Sequence, residues 1–131
     1  MRAAVQTAHG VYVVDLDEDE VVGLDAAARL PPAPPVELSL PLVVSAAASG
    51  STIVAVVDRR PPLVVSHDAG RTWHEAGGGL PRGSAVAIAA ENPDVVLYGA
   101  RNRLYLSTDG GTLWRGLAPE LPEIEAIALT D

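Results

Sequence analysis

The chain has 131 residues, of which 48% are hydrophobic, and it carries a formal net charge of −8. It contains no cysteine, which excludes disulfides, thiol nucleophiles and thiolate metal ligands. The acidic balance argues against general nucleic-acid binding, because that function needs a basic surface to neutralise phosphates. We therefore expect no nucleic-acid partner.

Short apolar runs dominate the sequence, and Gly and Pro interrupt them before any reaches the length that spans a bilayer. Residues 1–10 lack an apolar core of signal-peptide length. These features predict a single all-β domain over residues 1–131, with no membrane partner and a cytoplasmic location. Nothing in the pattern points to a cofactor, and we expect none.

Three repeats divide the chain, at about 1–41, 42–84 and 85–131. Alternating apolar positions predict four short strands for each repeat. In chain order the strands are predicted at 3–8, 10–15, 20–24, 42–47, 52–57, 62–66, 72–76, 85–90, 95–100, 103–107, 113–117 and 125–130. Strands 42–47, 85–90 and 125–130 are rich in small residues, which suits a position where neighbouring sheets converge.

The turn predicted between the second and third strands is strongly acidic. It begins with Asp15, Asp17 and Asp19 at the spacing of a calcium loop. However, Glu20 stands where such a loop needs glycine, and Ala26 stands where it needs a bidentate glutamate. We therefore interpret the segment as a solvated acidic hairpin and predict no metal site.

A pattern of Ser, Asp, Gly and Trp occurs twice in the chain. The first copy consists of Ser66, Asp68, Gly70, Thr72 and Trp73. The second copy lies forty-one residues later and consists of Ser107, Asp109, Gly111 and Trp114, with Leu113 in the place of the threonine. A period of about 40 to 45 residues is what a four-stranded propeller blade needs.

Each residue type in this pattern suits a tight turn between two strands. A short carboxylate accepts hydrogen bonds from the backbone N–H groups ahead of it. Glycine permits a positive φ, and the tryptophan begins the next strand and buries a large ring between sheets. We therefore predict that the two copies hold turns and perform no chemistry.

The pattern resembles the Asp-box of the BNR repeat family, which occurs in sialidase-like, sortilin-like and related β-propellers. Leu113 departs from the family's usual threonine. Sialidases also carry an Arg-Ile-Pro signature and a Tyr–Glu nucleophile pair. This chain has no Arg-Ile-Pro, and Tyr12 and Tyr105 occupy equivalent repeat positions, which favours packing over catalysis. The resemblance implies a β-propeller fold and a non-catalytic member of the family.

A third, decayed copy of the repeat begins the chain. Shifting the last repeat back by ninety-three residues places Tyr105 on Tyr12 and Leu117 on Leu24 without gaps. The acidic turn then stands where the Asp-box would be. The offset from this first copy to the next is fifty-two residues instead of forty-one, and the surplus falls around residues 31–35, which we interpret as a semi-rigid polyproline connection.

The order of the predicted strands leaves one strand without a blade of its own. The first repeat lacks an innermost strand, and strand 124–130 is an additional strand at the end of the third repeat. In closed propellers the C-terminal strand completes the N-terminal blade and removes an open sheet edge. Three blades are fewer than the usual four to eight. We therefore predict that two chains exchange strand 124–130 and form a six-bladed ring as a homodimer.

Arginines lie in two equivalent loops of the second and third repeats. These are Arg59, Arg60, Arg101 and Arg103, and both loops lie on the face of a propeller where ligands commonly bind. Arginine binds carboxylates and phosphates through paired hydrogen bonds. The four residues are our candidate site for a small anionic ligand, a glycan or an acidic protein segment. The other interpretation is that they balance an acidic surface.

Two function classes follow from the sequence. The first is a non-catalytic binding or scaffold module with a ligand or protein partner at the loop face. The alternative is a sialidase-like glycoside hydrolase, which would need paired carboxylates there. Candidates for such a pair are Asp58, Glu91, Asp94, Glu120 and Glu123. We favour the binding module and predict no catalytic residue.

Overall fold

Twelve strands form the regular structure of the protein. The structure is a computed structural model, and it describes residues 1–32, 35–36 and 38–130. In chain order they are β1 Arg2–Thr7, β2 Gly10–Asp15, β3 Glu20–Asp25, β4 Val43–Ser49, β5 Thr52–Val57, β6 Leu63–Ser66, β7 His74–Ala76, β8 Ala85–Ala89, β9 Asn92–Ala100, β10 Arg103–Ser107, β11 Arg115–Gly116 and β12 Ala126–Thr130. All twelve predicted strands are present. The all-β class is confirmed.

Two strands, β9 and β11, differ in length from the prediction by three residues, and the other strands differ by two residues or fewer. β9 begins at Asn92 rather than at residue 95, because a bulge after Ile88 lets Asn92 pair with Ala89. β11 has only two residues, because the turn before it extends through Leu113.

The strands form three four-stranded antiparallel sheets. The first sheet has the order β12-β1-β2-β3, the second β4-β5-β6-β7 and the third β8-β9-β10-β11. Each of the second and third sheets uses four consecutive strands. The first sheet takes its innermost strand from the far end of the chain.

The structure of the single chain places this last strand on its own first sheet, and the exchange of strand 124–130 between two chains stays a prediction. β12 pairs with β1 of the same chain, with Ala4 opposite Ala128 and Arg2 opposite Thr130. We had expected it to pair with a partner chain, since closing three blades on themselves would need very sharp turns. The structure avoids those turns because the third sheet stands between the other two and the arc stays open.

Two buried clusters join the sheets, and the third sheet belongs to both. One cluster packs Val5 and Val14 of the first sheet against Leu97 of the third. The other packs Val54 of the second sheet against Tyr98 of the third. Among the described residues, no buried cluster joins the first sheet directly to the second. The three sheets therefore form an arc in the order second, third, first.

Alternation along each strand gives every sheet two apolar faces. In the second sheet, one face packs toward the third sheet through Val54, Val56, Leu63 and Val65. Forty-one residues later, the equivalent face of the third sheet packs toward the first through Val95, Leu97, Leu104 and Leu106. We call this side the front face of a sheet and the opposite side its back face.

Aromatic residues fill the contact between the second and third sheets. Tyr98 has no exposed surface and lies 6.3 Å from Tyr105 and 6.2 Å from Trp114, measured between ring centroids. Its hydroxyl donates a 2.6 Å hydrogen bond to the carbonyl oxygen of Pro81. Burial, with a smaller contribution from Tyr105, raises the pKa of Tyr98 to about 12. The back face of the third sheet is thus a packed aromatic layer.

The connection from β3 to β4 reaches from the first sheet to the second. The backbone N–H of Leu30 donates to Gln6 Oε1 at 2.8 Å, and Leu38 and Leu40 pack on the back face of the second sheet. The polyproline interpretation of residues 31–35 falls partly on residues 33 and 34, which lie outside the described residues. None of the described residues belong to a helix with the length and apolarity needed to cross a bilayer.

Candidate functional site

The first Asp-box forms a turn held by side-chain hydrogen bonds. Ser66 Oγ donates to Asp68 Oδ1 at 2.7 Å, and the backbone N–H of Gly70 donates to Ser66 Oγ at 2.8 Å. Thr72 donates twice to Asp68, from its N–H to Oδ1 at 2.8 Å and from its hydroxyl to Oδ2 at 2.6 Å. Trp73 Nε1 donates to the carbonyl oxygen of Gly70 at 3.1 Å. The carboxylate is therefore surrounded by donors of its own turn.

The second Asp-box repeats this geometry except for the hydroxyl bond to the second carboxylate oxygen. Ser107 Oγ donates to Asp109 Oδ1 at 2.8 Å, and the N–H of Leu113 donates to the same oxygen at 3.0 Å. Trp114 Nε1 donates to the carbonyl oxygen of Gly111 at 2.9 Å. Because Leu113 has no hydroxyl, no hydrogen bond from the described residues reaches Asp109 Oδ2.

The same hydrogen bonds stabilise the ionised form of both carboxyl groups. The hydroxyl and N–H of Thr72 and the hydroxyl of Ser66 hold the pKa of Asp68 well below its usual range. The N–H of Leu113 and the hydroxyl of Ser107 lower the pKa of Asp109. Gly70 and Gly111 adopt φ values of 92° and 94°, which glycine tolerates best. These contacts account for the motif as a turn.

The acidic turn of the first sheet is built differently. Asp15 Oδ1 accepts from the N–H groups of Asp17 and Glu18, and these bonds lower the pKa of Asp15, with Glu18 contributing most. Asp19 forms a 2.7 Å ion pair with Arg115 of the third sheet. Within the described residues, no three His, Asp or Glu side chains are grouped so that they would hold a metal ion.

Antiparallel strands place all turns at two opposite ends of the sheets. One end carries the Asp-box turns, the acidic turn and the β4–β5 and β8–β9 turns; we call it the Asp-box end. The other end carries the β1–β2, β5–β6 and β9–β10 turns and the connections from one sheet to the next; we call it the arginine end. The four arginines of the candidate site all lie at the arginine end, on turns of neighbouring sheets.

The arginine end also carries two arginines that the sequence analysis missed. Arg29 donates to the carbonyl oxygen of Thr7 at 2.9 Å, and Arg82 lies 3.3 Å from Asp58. Both lie on connections between sheets. Antiparallel strands alternate in direction, so every connection from one four-stranded sheet to the next lies at the same end. This rule would have predicted the position of both arginines.

Charge is divided unequally between the two ends. Six of the nine arginines lie at the arginine end: Arg29, Arg59, Arg60, Arg82, Arg101 and Arg103. The described acidic residues there are Asp25, Asp58, Glu120, Glu123 and Glu125. Among the residues that the structure describes, nine acidic ones lie at the Asp-box end, namely Asp15, Asp17, Glu18, Asp19, Glu20, Asp68, Glu91, Asp94 and Asp109. One end is nearly balanced in charge, whereas the other is strongly acidic.

The four predicted arginines have different surroundings. Arg103 forms a 3.2 Å ion pair with Glu120. Arg59, Arg60 and Arg101 are exposed, and within the described residues no ion pair involves them. A cis peptide bond joins Arg60 to Pro61, and Arg101 has a φ of 57° in its turn. Three guanidinium groups are therefore exposed to solvent and form no ion pair with the residues that the structure describes.

Two of the carboxylates considered for a glycosidase pair lie at the wrong end. Glu91 is in the β8–β9 turn, and the carbonyl oxygen of Asp94 accepts the N–H of Gly110 in the second Asp-box at 2.9 Å. We had expected both at the loop face. The tight β8–β9 turn sends them to the Asp-box end instead, so they are separated from Asp58 and Glu120.

The innermost strands line an open groove along the axis of the arc. Its volume is about 420 Å³. It is lined mainly by β4, β8 and β12, including Ala46, Ala87 and Ala126. The small residues therefore occupy the converging position that the sequence predicted for them.

Comparison with known proteins gives a structural likeness. No protein-family model matches the chain, and no curated protein sequence matches it. The GH74 enzyme of Niastella koreensis resembles it over 88% of this chain with a TM-score of 0.50 and 20% identity. The three sheets resemble propeller blades. The chain spans only 17% of that enzyme, and at this identity the likeness concerns the fold alone.

Proposed function

We propose that the chain is a non-catalytic binding module of the Asp-box propeller type, with an anion-binding surface at its arginine end. The ligand carries carboxylate or phosphate groups, as an acidic glycan or an acidic peptide does. Arginine recognises both groups through paired, charge-assisted hydrogen bonds.

One observation carries this proposal. Six arginines gather at one end of a chain with a net charge of −8, and Arg59, Arg60 and Arg101 are exposed there without an ion pair among the described residues. Arginines that only balanced surface charge would be expected beside the nine acidic residues of the Asp-box end. An anionic ligand that approaches the molecule is repelled by that end and meets guanidinium groups at the other.

The pKa shifts and ion pairs of the carboxyl groups support a non-catalytic role. A glycosidase needs a general acid with a raised pKa near a second carboxylate. The carboxyl groups of Asp15, Asp68 and Asp109 have their pKa lowered by hydrogen bonds. At the arginine end, Asp58 and Glu120 are engaged by Arg82 and Arg103.

The proposal is tested by calorimetry with oligogalacturonate, sialylated oligosaccharide, poly-glutamate peptide and inorganic phosphate as probes. The protein carrying Arg59→Ala, Arg60→Ala and Arg101→Ala together should lose affinity by roughly tenfold for each contacting arginine. Binding by the unchanged protein should weaken as salt is raised.

Arg71→Ala is the matched control, because Arg71 is exposed in the first Asp-box at the opposite end. It should leave the affinity unchanged. Binding that survives the triple substitution, or that Arg71→Ala weakens equally, would contradict the proposed surface. Comparison among the probes shows whether a glycan, a peptide or phosphate alone is recognised.

A further inference from the structure

Two histidines meet at the Asp-box end of the second sheet. His67 is the second residue of the first Asp-box, and His74 is the first residue of β7. Their rings lie 5.3 Å apart, measured between centroids, and the angle between the ring planes is 30°. Both side chains are exposed. The tight turn thus brings together two imidazoles that are seven positions apart in the sequence.

The pairing of the strands puts both rings on the front face of the second sheet. His74 lies opposite Val65 across β6 and β7. Because side chains alternate along a strand, His67 points to the same side as Val65, two residues before it. The two histidines are therefore diagonal neighbours, and long side chains reach each other at that spacing in an antiparallel pair.

A buried threonine hydroxyl contacts one ring of the pair. Thr52 Oγ1 lies 3.4 Å from Nδ1 of His67, and Thr52 is 7% exposed. When Nδ1 carries the proton, the imidazole donates to this hydroxyl and the lone pair is on Nε2. Metal-bound histidines have this arrangement, since the nitrogen that does not bind the metal donates to a neighbouring acceptor.

The carboxylate of the same turn holds the turn in place. Asp68 Oδ1 accepts from the hydroxyl of Ser66 and the N–H of Thr72, and Oδ2 accepts from the hydroxyl of Thr72. These bonds fix the segment that carries His67, so little conformational freedom is lost when an ion binds. The negative charge of Asp68, next to His67 in the chain, favours a cation at this end of the sheet.

The turn itself does not require the two histidines. In the third repeat, forty-one residues later, Thr108 stands at the position of His67. Arg115 stands at the position of His74, and it pairs with Asp19 of the first sheet. The second Asp-box forms the same turn without either imidazole. The structure of the turn therefore does not account for the pair.

The distance between the two rings suits a single metal ion bound by both. A bond from zinc to an imidazole nitrogen is about 2.0–2.1 Å long, and a tetrahedral ion holds its ligands about 110° apart. Two rings on such an ion have centroids about 5 Å apart, since each centroid lies about 1 Å behind its nitrogen. The separation of 5.3 Å agrees with this value.

We propose that His67 and His74 bind one divalent transition-metal ion, with water as the remaining ligands. Imidazole nitrogen suits Zn²⁺, Cu²⁺ and Ni²⁺, whereas Ca²⁺ and Mg²⁺ take oxygen ligands. In the part of the chain that the structure describes, no further His, Asp or Glu joins the pair as a third ligand. The bound ion therefore keeps positions that are open to solvent.

Titration with Zn²⁺ alone, followed by nuclear magnetic resonance of the three imidazoles, tests the site. The ring signals of His67 and His74 should shift together, with one Zn²⁺ per chain, and His67 should bind through Nε2. His9 lies in the β1–β2 turn at the arginine end and should not shift. Ca²⁺ at the same concentration should move none of the three rings.

Two substitutions distinguish a shared site from two separate ones. His67→Thr introduces the residue that the third repeat has in the same turn, and His74→Ala removes the other ring. Each should lower the Zn²⁺ affinity by roughly tenfold or more, because the remaining imidazole binds without its partner. The double variant should lose little more than either single one. His9→Ala is the control and should bind Zn²⁺ like the unchanged protein.

Three results would overturn the proposal. The absence of any shift at millimolar Zn²⁺ would show that the pair does not bind the ion. Binding that survives both substitutions would place the ion elsewhere, and losses that add up in the double variant would show that each imidazole binds its own ion. Circular dichroism confirms that each variant is folded.

Discussion

Tyr98 shows how closely single residues are fitted in this protein. It is completely buried, and its hydroxyl bonds to Pro81 in the connection that enters the third sheet. Gly83 lies in the same connection against the face of this ring. The ring occupies the space where a side chain at Gly83 would stand, so glycine is needed there for room and not for its φ.

Gly83→Ala should therefore destabilise the protein by about 1–3 kcal/mol, the usual cost of overpacking. The added Cβ would collide with Cζ and the hydroxyl of Tyr98, which is enclosed and has no room to move away. Gly78→Ala, five residues earlier, should be neutral, because nothing lies within 4 Å of its Cβ position. Urea unfolding of both variants measures the difference, and equal midpoints would refute the close fit.

At the scale of the element, the two Asp-boxes differ at one position. Thr72 gives Asp68 a hydroxyl donor on Oδ2, and Leu113 gives Asp109 none. Leu113 also leaves an apolar side chain 73% exposed. The second turn keeps its shape because its backbone N–H donors are sufficient.

Leu113→Thr should stabilise the second turn by supplying the missing hydroxyl bond to Asp109. Leu113→Val is the control, because valine has the shape of threonine without the hydroxyl. The pKa of Asp109 is already lowered in the folded state, and a further donor lowers it more. The added stability is thus present above the unfolded carboxyl pKa of about 4 and is lost as pH falls through the folded value.

Urea unfolding at neutral pH and below pH 4 measures this difference. The threonine variant should exceed the valine variant at neutral pH, and the gap should close in acid. A gap that is independent of pH would show that the hydroxyl does not act through the carboxylate.

At the scale of the whole molecule, the pairing of β12 with β1 joins the two ends of the described chain. Arg2 lies opposite Thr130, and the hydroxyl of Thr130 donates to the carbonyl oxygen of Arg2 at 3.1 Å. This pairing completes the first sheet and places it beside the third.

A cysteine pair distinguishes pairing within a chain from exchange between chains. The protein has no cysteine of its own, so Ala4→Cys with Ala128→Cys introduces the only thiols, at residues that face each other across β1 and β12. After oxidation, a denaturing gel without reductant should show a chain of single mass that migrates faster than its reduced form. A covalent dimer would show that the strand is exchanged after all.

Much of the candidate site could be predicted from the sequence, and the errors of that prediction have a physical origin. The Asp-box turns and Arg59, Arg60, Arg101 and Arg103 are where the repeat placed them, because turns depend on residues only a few positions apart. Glu91 and Asp94 were assigned to the wrong end. A tight antiparallel turn reverses the chain, so an error of one turn moves a residue from one end of the sheet to the other.

The sequence by itself determined the twelve strands, the alternation of their faces and the two Asp-box turns. Each of these depends on a local pattern that the repeat confirms, as the match of Val56 with Leu97 shows. The tertiary structure alone decided that β12 returns to its own chain and that the third sheet stands in the middle. Those choices rest on contacts such as Ala4 with Ala128, which lie far apart in the sequence and leave no local pattern.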